Sequence, residues 1–275
     1  MKRPLARGSE ITYPRIASWL DSFGSYRHQV TGATLERWLQ QFERRDQDTA
    51  ARLLDVIDFV GQTQMSQLFR QMLGAIPGWH ADEQKRGGRW RFVPYSVSSG
   101  ESGDAMIHSF RLANNLDAKT YNELFIRPRD LLAERLGPGD TVVLVDDFSG
   151  TGQQICQSWE RPLHELLPAE PRTYLMLLGA STAARRRVVD NTPLRPVIGF
   201  QLTERDNIFS EACTHFSDEE KRTLLRYCRR ASQRYPAGFG DCGFVVVFAH
   251  RCPNNSLPVL HMVHEKWAGL FPRHD

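Results

Sequence analysis

An α/β fold with a mostly parallel sheet and an N-terminal helical extension is predicted by three patterns in the 275-residue sequence. Apolar residues recur at helical spacing through the first third. Short apolar runs alternate with helical stretches through the rest, and one of those runs ends in two acids ahead of a glycine-rich helix start.

The extension comes first. Leu35, Trp38, Leu39 and Phe42 fall at i, i+3, i+4 and i+7, and Leu53, Val56, Ile57 and Val60 repeat the spacing. Met65, Leu68, Phe69, Met72, Leu73 and Ile76 continue it, and Thr34 reads as the N-cap of the first helix. Such stripes are packing faces. Gly74, Pro77-Gly78 and the polar stretch 81–88 break the rhythm, which places a boundary near residue 86: a helical extension over 1–86 and a core over 87–275.

Beyond the boundary, strands are expected at 90–97, 141–146, 174–178, 196–201 and 243–249. Helices are expected between and after them at 105–116, 152–167, 182–191 and 218–230, the last opened by Ser217 and Glu220 at capping-box spacing. This alternation is what a parallel sheet covered by helices requires.

Composition narrows the class. With 41% apolar and 24% charged residues and a net charge of +3, the chain reads as soluble and globular, and its charge selects no partner. Basic residues nevertheless gather at 85–91 and at Arg185-Arg186-Arg187, where phosphates or nucleic acid could dock or where a face is simply solvated. No signal peptide or membrane span is legible, so a cytoplasmic protein is expected. Five cysteines without a CxxC pair indicate reduced, mostly buried thiols. His250, Cys252, His261 and His264 lie close in sequence, but their spacing fits no common zinc pattern.

The chemistry concentrates in TVVLVDDFSGTGQQ, residues 141–154. A strand end over a helix start is where α/β sheets bind ligands. Unpaired N–H groups at a helix start attract anions, and the small residues Gly150, Thr151 and Gly152 let them close around a phosphate, with Ser149 and Thr151 adding hydroxyls. Asp146 and Asp147, acceptor-only when ionised, suit the 2- and 3-hydroxyls of a ribose whose 5-phosphate sits in the loop. There is no GxxxxGK[ST] and no GxGxxG after a strand, so P-loop and dinucleotide readings are excluded.

The DDFSGTG segment resembles the phosphoribosyl-pyrophosphate loop of type I phosphoribosyltransferases: an apolar strand, two acids, three variable residues, then Thr-Gly. The resemblance implies that family's sheet and a pyrophosphate loop after an earlier strand. Ser98 to Asp104 offers one, with Ser99, Gly100, Ser102 and Gly103 as its binding residues. It also implies a mobile loop over residues 119–139, containing Tyr121, Arg127 and Arg129. The implied reaction exchanges pyrophosphate and a nitrogen base at ribose C1, with Asp146 and Asp147 as catalytic residues and as ligands of Mg2+. Some purine-type relatives carry an acid as general base at the position of Gly150, which this chain lacks. Residues 202–209 are a candidate base-binding hood.

Together with the Trp-containing helix, the SGESG loop and the C-terminal run GDCGFVVVFAHRCPNNSLPVLHMVHEKWAGLFPR, the sequence looks like phosphoribosyltransferase-like proteins of bacterial conflict loci, including retron-type antiviral systems. That wider resemblance spans residues 15–273. It implies an effector or accessory component that acts on phosphoribosyl pyrophosphate or a nucleotide, restrained by partner proteins or a nucleoprotein complex, with room for an oligomer and no role for a membrane. Two readings stay open: an enzyme acting at ribose C1, and a non-catalytic nucleotide-sensing or assembly module that regulates a partner.

Overall fold

The computed structural model describes residues 11–95, 102–160, 165 and 171–273, with Ser102 described through its backbone only. In chain order the elements are α1 (Tyr13–Phe23), α2 (Gly32–Leu39), α3 (Gln47–Asp55), β1 (Asp58–Val60), α4 (Gln62–Ala75), β2 (Trp90–Pro94), α5 (Ser102–Ala113), β3 (Thr141–Ser149) and α6 (Gln153–Ser158). There follow β4 (Arg172–Ser181), α7 (Thr182–Asn191), β5 (Arg195–Leu202), α8 (Asp218–Ala231), β6 (Val246–Phe248), α9 (Pro258–His261), β7 (Val263–His264) and β8 (Trp267–Ala268). The fold is α/β with mostly parallel strands and a helical N-terminal region, as expected. Among the described residues no helix is long and apolar enough to cross a membrane.

The chain forms two compact units, Met1–Gln62 with Glu204–Asp275, and Thr63–Thr203. This division differs from a single boundary near residue 86. Helix α4 belongs with the sheet, and the C-terminal quarter belongs with the N-terminal helices.

In the discontinuous unit, Trp38, Phe42, Tyr227, Trp267 and Phe271 are buried in one core. The indole N–H groups of Trp38 and Trp267 both donate to the Val259 carbonyl, at 2.8 and 3.1 Å, so one buried acceptor ties two chain segments together. The N-cap of α2 is Thr31 rather than Thr34. Thr34 sits at N3, and the two threonines form a reciprocal capping box. The helical stripe expected through Val60 also stops early, at Asp55, because residues 58–60 pair in parallel with Val246–Phe248. The β-forming side chains Phe59 and Val60 find a strand partner that local periodicity cannot reveal. The strand expected at 243–249 is therefore shortened to β6 and pairs outside the main sheet. The capping box of Ser217 and Glu220 forms as expected, with Glu220 N–H donating to Ser217 Oγ at 3.3 Å.

The continuous unit holds the four-stranded parallel sheet in the order β2-β3-β4-β5. One face packs against α4 and α5 through an aromatic cluster in which the Phe69 and Phe110 rings lie 5.6 Å apart and Phe110 and Phe92 lie 4.8 Å apart. On the other face Val93, Leu144, Leu175 and Leu177 pack with Ile155 of α6 and Val188 of α7. Helices on both faces explain why the central strands are continuous apolar runs.

Within residues 119–139 lie two short 3-10 helices, Lys119–Leu124 and Pro128–Glu134. Leu124 and Leu131 are buried, and Ile126 N–H donates to the Phe92 carbonyl at 3.2 Å, which fastens the segment to the edge of β2. Arg89 and Arg91 of the basic run at 85–91 serve the same anchoring. Arg89 reaches Asp140 and the carbonyls of Glu134 and Arg135, and Arg91 pairs with Glu134 at 2.6 Å. Burial tends to push the Asp140 carboxyl up, but the N–H groups of Gly137 and Arg89 and the Arg89 guanidinium outweigh it and hold the carboxyl below the usual range.

Candidate functional site

The loop that follows β3 lies at the carboxyl end of the sheet. Strand β2 ends at Pro94, whereas β3 continues through Ser149 alongside β4, with Phe148 opposite Gly179 and Ser149 opposite Ala180. β3 is thus longer than expected, and both acids are within it. Side chains alternate along a strand, so Asp146 and Asp147 leave the sheet on opposite faces. Asp146 follows Leu144 onto the α6 and α7 side, and Asp147 follows Val143 and Val145 onto the α5 side.

Each carboxylate accepts the N–H of the next residue, Asp146 from Asp147 at 2.9 Å and Asp147 from Phe148 at 2.7 Å. Both side chains are half-buried. Each is hard-oxygen chemistry suited to magnesium, but on opposite faces the two acids fit an ion shared between one carboxylate and ligand oxygens better than an ion chelated by both. Among the described residues no group of three or more His, Cys, Asp or Glu side chains is arranged to hold a metal.

Beyond the strand, two hydroxyls organise the turn. Ser149 Oγ accepts from Gly152 N–H and Thr151 Oγ1 from Gln153 N–H, both at 3.2 Å. Two amides expected to face a phosphate are thus engaged by hydroxyls, each of which keeps its own hydrogen to donate. Gly152 takes φ +69°, and a Cβ there would lie 2.9 Å from the Ala184 carbonyl oxygen, so the helix start must be glycine. Gly150 is buried, and its carbonyl accepts from Ser181 Oγ at 2.6 Å. The same Ser181 oxygen accepts from Ala184 N–H at 2.8 Å and so caps α7.

That packing places α7 beside the loop. The Arg187 Cβ lies 3.3 Å from the Cβ position at Gly152, so an exposed guanidinium side chain departs next to the start of α6. Arg187 was legible only as part of a basic triplet. Burial pushes the neighbouring Cys156 thiol up, with Arg187 opposing it.

Other expected site residues separate. Ser99 and Gly100 lie outside the described residues; Ser102 and Gly103 form the first turn of α5. Of the segment 202–209, Leu202 ends β5, and Ile208 is buried in the core of the discontinuous unit with Phe209 packed against it. His261 Nε2 meets the Ser256 carbonyl, and His264 Nε2 meets the Ala231 carbonyl, so these rings serve local packing. Burial pushes the Cys228 and Cys252 thiols up to about 12, which keeps both protonated.

A search of curated proteins finds no match. A family profile described as PRTase-CE matches residues 35–273. The match runs across both units and includes the strand, acid pair and loop just described. The chain is phosphoribosyltransferase-like, and it belongs to the PRTase-CE family.

Proposed function

We propose that the loop after β3 binds phosphoribosyl pyrophosphate or a nucleotide, and that the protein acts at ribose C1 as an effector or accessory component of a cytoplasmic bacterial antiviral system of retron type. One observation carries the binding assignment: an acid pair, a Ser/Thr-braced turn and a glycine-started helix follow one another at the carboxyl end of a parallel strand inside the family match.

In this reading the loop holds the 5-phosphate through the hydroxyl hydrogens of Ser149 and Thr151 and the backbone around Gly150, and Arg187 adds a cation at the same end. Asp146 and Asp147 accept the ribose hydroxyls and fix C1, and their negative charge favours the positive sugar that forms as the bond to pyrophosphate or base breaks. When bound, magnesium held by one of these acids together with ligand oxygens would supply charge neutralisation on the pyrophosphate. Ser102 and Gly103, at the start of α5, are assigned to the pyrophosphate together with Ser99 and Gly100. Partner proteins or a nucleoprotein complex would restrain the activity.

Calorimetric titration with phosphoribosyl pyrophosphate, with and without magnesium, tests the assignment against an Asp146→Asn/Asp147→Asn variant. Magnesium-dependent binding that disappears in the variant supports it. Equal binding by both proteins removes the acids from the site.

A second reading, a sensor that binds without turnover, is favoured by Gly150, which leaves the loop without a general base. Steady release of pyrophosphate or free base eliminates that reading.

A further inference from the structure

A separate concave site lies in the discontinuous unit, where the end of α8 meets the β7–β8 hairpin. A cavity of about 790 Å³ is lined by Arg229, Arg230, Gln233, Pro236 and Lys266. Its size falls within the range of small-ligand pockets, ~300–1,000 Å³.

The cations come from two elements. Arg229 and Arg230 occupy the last turn of α8, and Lys266 lies in the hairpin turn. His264 joins the two. Its Nε2 lies 3.0 Å from the Ala231 carbonyl, and its Nδ1 accepts from Lys266 N–H at 3.2 Å. A carbonyl only accepts, so Nε2 is the donor to Ala231 while Nδ1 accepts from Lys266. The Arg230 guanidinium stands over the Tyr227 ring at 5.3 Å and the Trp267 ring at 5.9 Å, which positions it before any ligand arrives.

The helix dipole accounts for two arginines in a last turn. It does not account for a lysine brought to the same cavity by a hairpin. Some other arginines of this unit are set against carboxylates, as with Arg15 and Asp55, Arg52 and Glu220, and Arg226 and Asp46. Among the described residues, Arg229, Arg230 and Lys266 have no carboxylate partner. Three unneutralised cations and an amide around one hollow call for a compact, multiply charged anion. Asp46 pairs with Arg226 one turn earlier, so the nearest cation up the helix is already neutralised.

We propose that this cavity is a second ligand site, distinct from the loop after β3, which takes a small polyphosphate-bearing molecule on Arg229, Arg230 and Lys266. The test is calorimetric titration of the full chain with inorganic tripolyphosphate, without magnesium, beside the variant Arg229→Gln/Lys266→Gln. Saturable binding of one ion per chain, weakened on the order of tenfold or more in the variant, is expected. Both residues are exposed, and circular dichroism verifies the fold; Gln233→Glu, which adds a carboxylate to the rim, should weaken binding as well. Binding that survives in these variants belongs elsewhere on the chain, the β3 loop included, and overturns the proposal. So does an absence of saturable binding. A single-stranded oligonucleotide that binds through Arg229 and Lys266 while tripolyphosphate does not would assign the surface to nucleic acid instead.

Discussion

Replacing Gly152 by alanine asks how tightly the start of α6 is built into its surroundings. At φ +69° an L-residue pays about 1–2 kcal/mol for the left-handed backbone. The added Cβ would also stand 2.9 Å from the oxygen and 3.2 Å from the Cα of Ala184. Both are backbone atoms at the head of α7, so no side chain can rotate away, and overpacking of this kind adds roughly 1–3 kcal/mol. The sum is about 2–5 kcal/mol, which corresponds to a fall in Tm on the order of 10 °C. Moving Ala184 would disturb Ser181, which bonds both Ala184 N–H and the Gly150 carbonyl, so the damage should reach the loop and weaken phosphoribosyl pyrophosphate binding beyond the loss of stability. Differential scanning calorimetry and the titration described above measure the two effects. A Tm and an affinity equal to those of the parent chain would refute the argument, because they would mean that α7 yields at no cost.

The same substitution at Gly74, in α4 with open space around its Cβ position, should raise stability by about 0.5–1 kcal/mol in urea denaturation. Asp140→Asn should cost about 2 kcal/mol near neutral pH, because an amide has a single acceptor oxygen: with that oxygen on Gly137 N–H and the Arg89 guanidinium, its NH2 would face the Arg89 backbone N–H that the second carboxylate oxygen now accepts. The folded carboxyl is held below its unfolded value, so its contribution is full above about pH 3.9 and is lost as pH falls through the folded value. The stability gap between parent and variant should therefore close in acid, and a gap that stays constant would contradict this. Trp38→Phe and Trp267→Phe should each leave the Val259 carbonyl with one donor, whereas the double variant leaves it with neither indole. A double-mutant cycle should show an excess loss of about 1–3 kcal/mol over the sum of the single changes.

The parallel sheet and the loop were legible because they are local. Apolar runs, an acid pair and Thr-Gly occupy one stretch of chain. The expected helix at 182–191 matches α7 residue for residue. The pairing of β1 with β6 was not legible. It joins residues 58–60 to 246–248, and no pattern within a short window encodes a partner that distant. For the same reason local periodicity reads this strand as the end of a helical stripe. The roles of Ser181 and Arg187 were hidden in the same way, since neither adjoins the loop in sequence and only the packing of α7 brings them to it. The opposite faces of Asp146 and Asp147 follow from strand alternation, but only once β3 is seen to continue through Ser149.

The two-part construction of the discontinuous unit has a consequence for how the chain folds as it is made. Residues 1–62 leave the ribosome carrying Trp19, Phe23, Trp38 and Phe42, whose core partners Tyr227, Val259 and Phe271 lie in the other stretch of that unit, after residue 203. At ~5–20 residues per second, those partners arrive roughly 10–40 s later. The continuous unit can complete its sheet during that interval, while the N-terminal aromatic faces wait uncovered. Pulse-labelling of nascent chains should thus find protection first in residues 63–203, and the early helices should be the segment most dependent on chaperones.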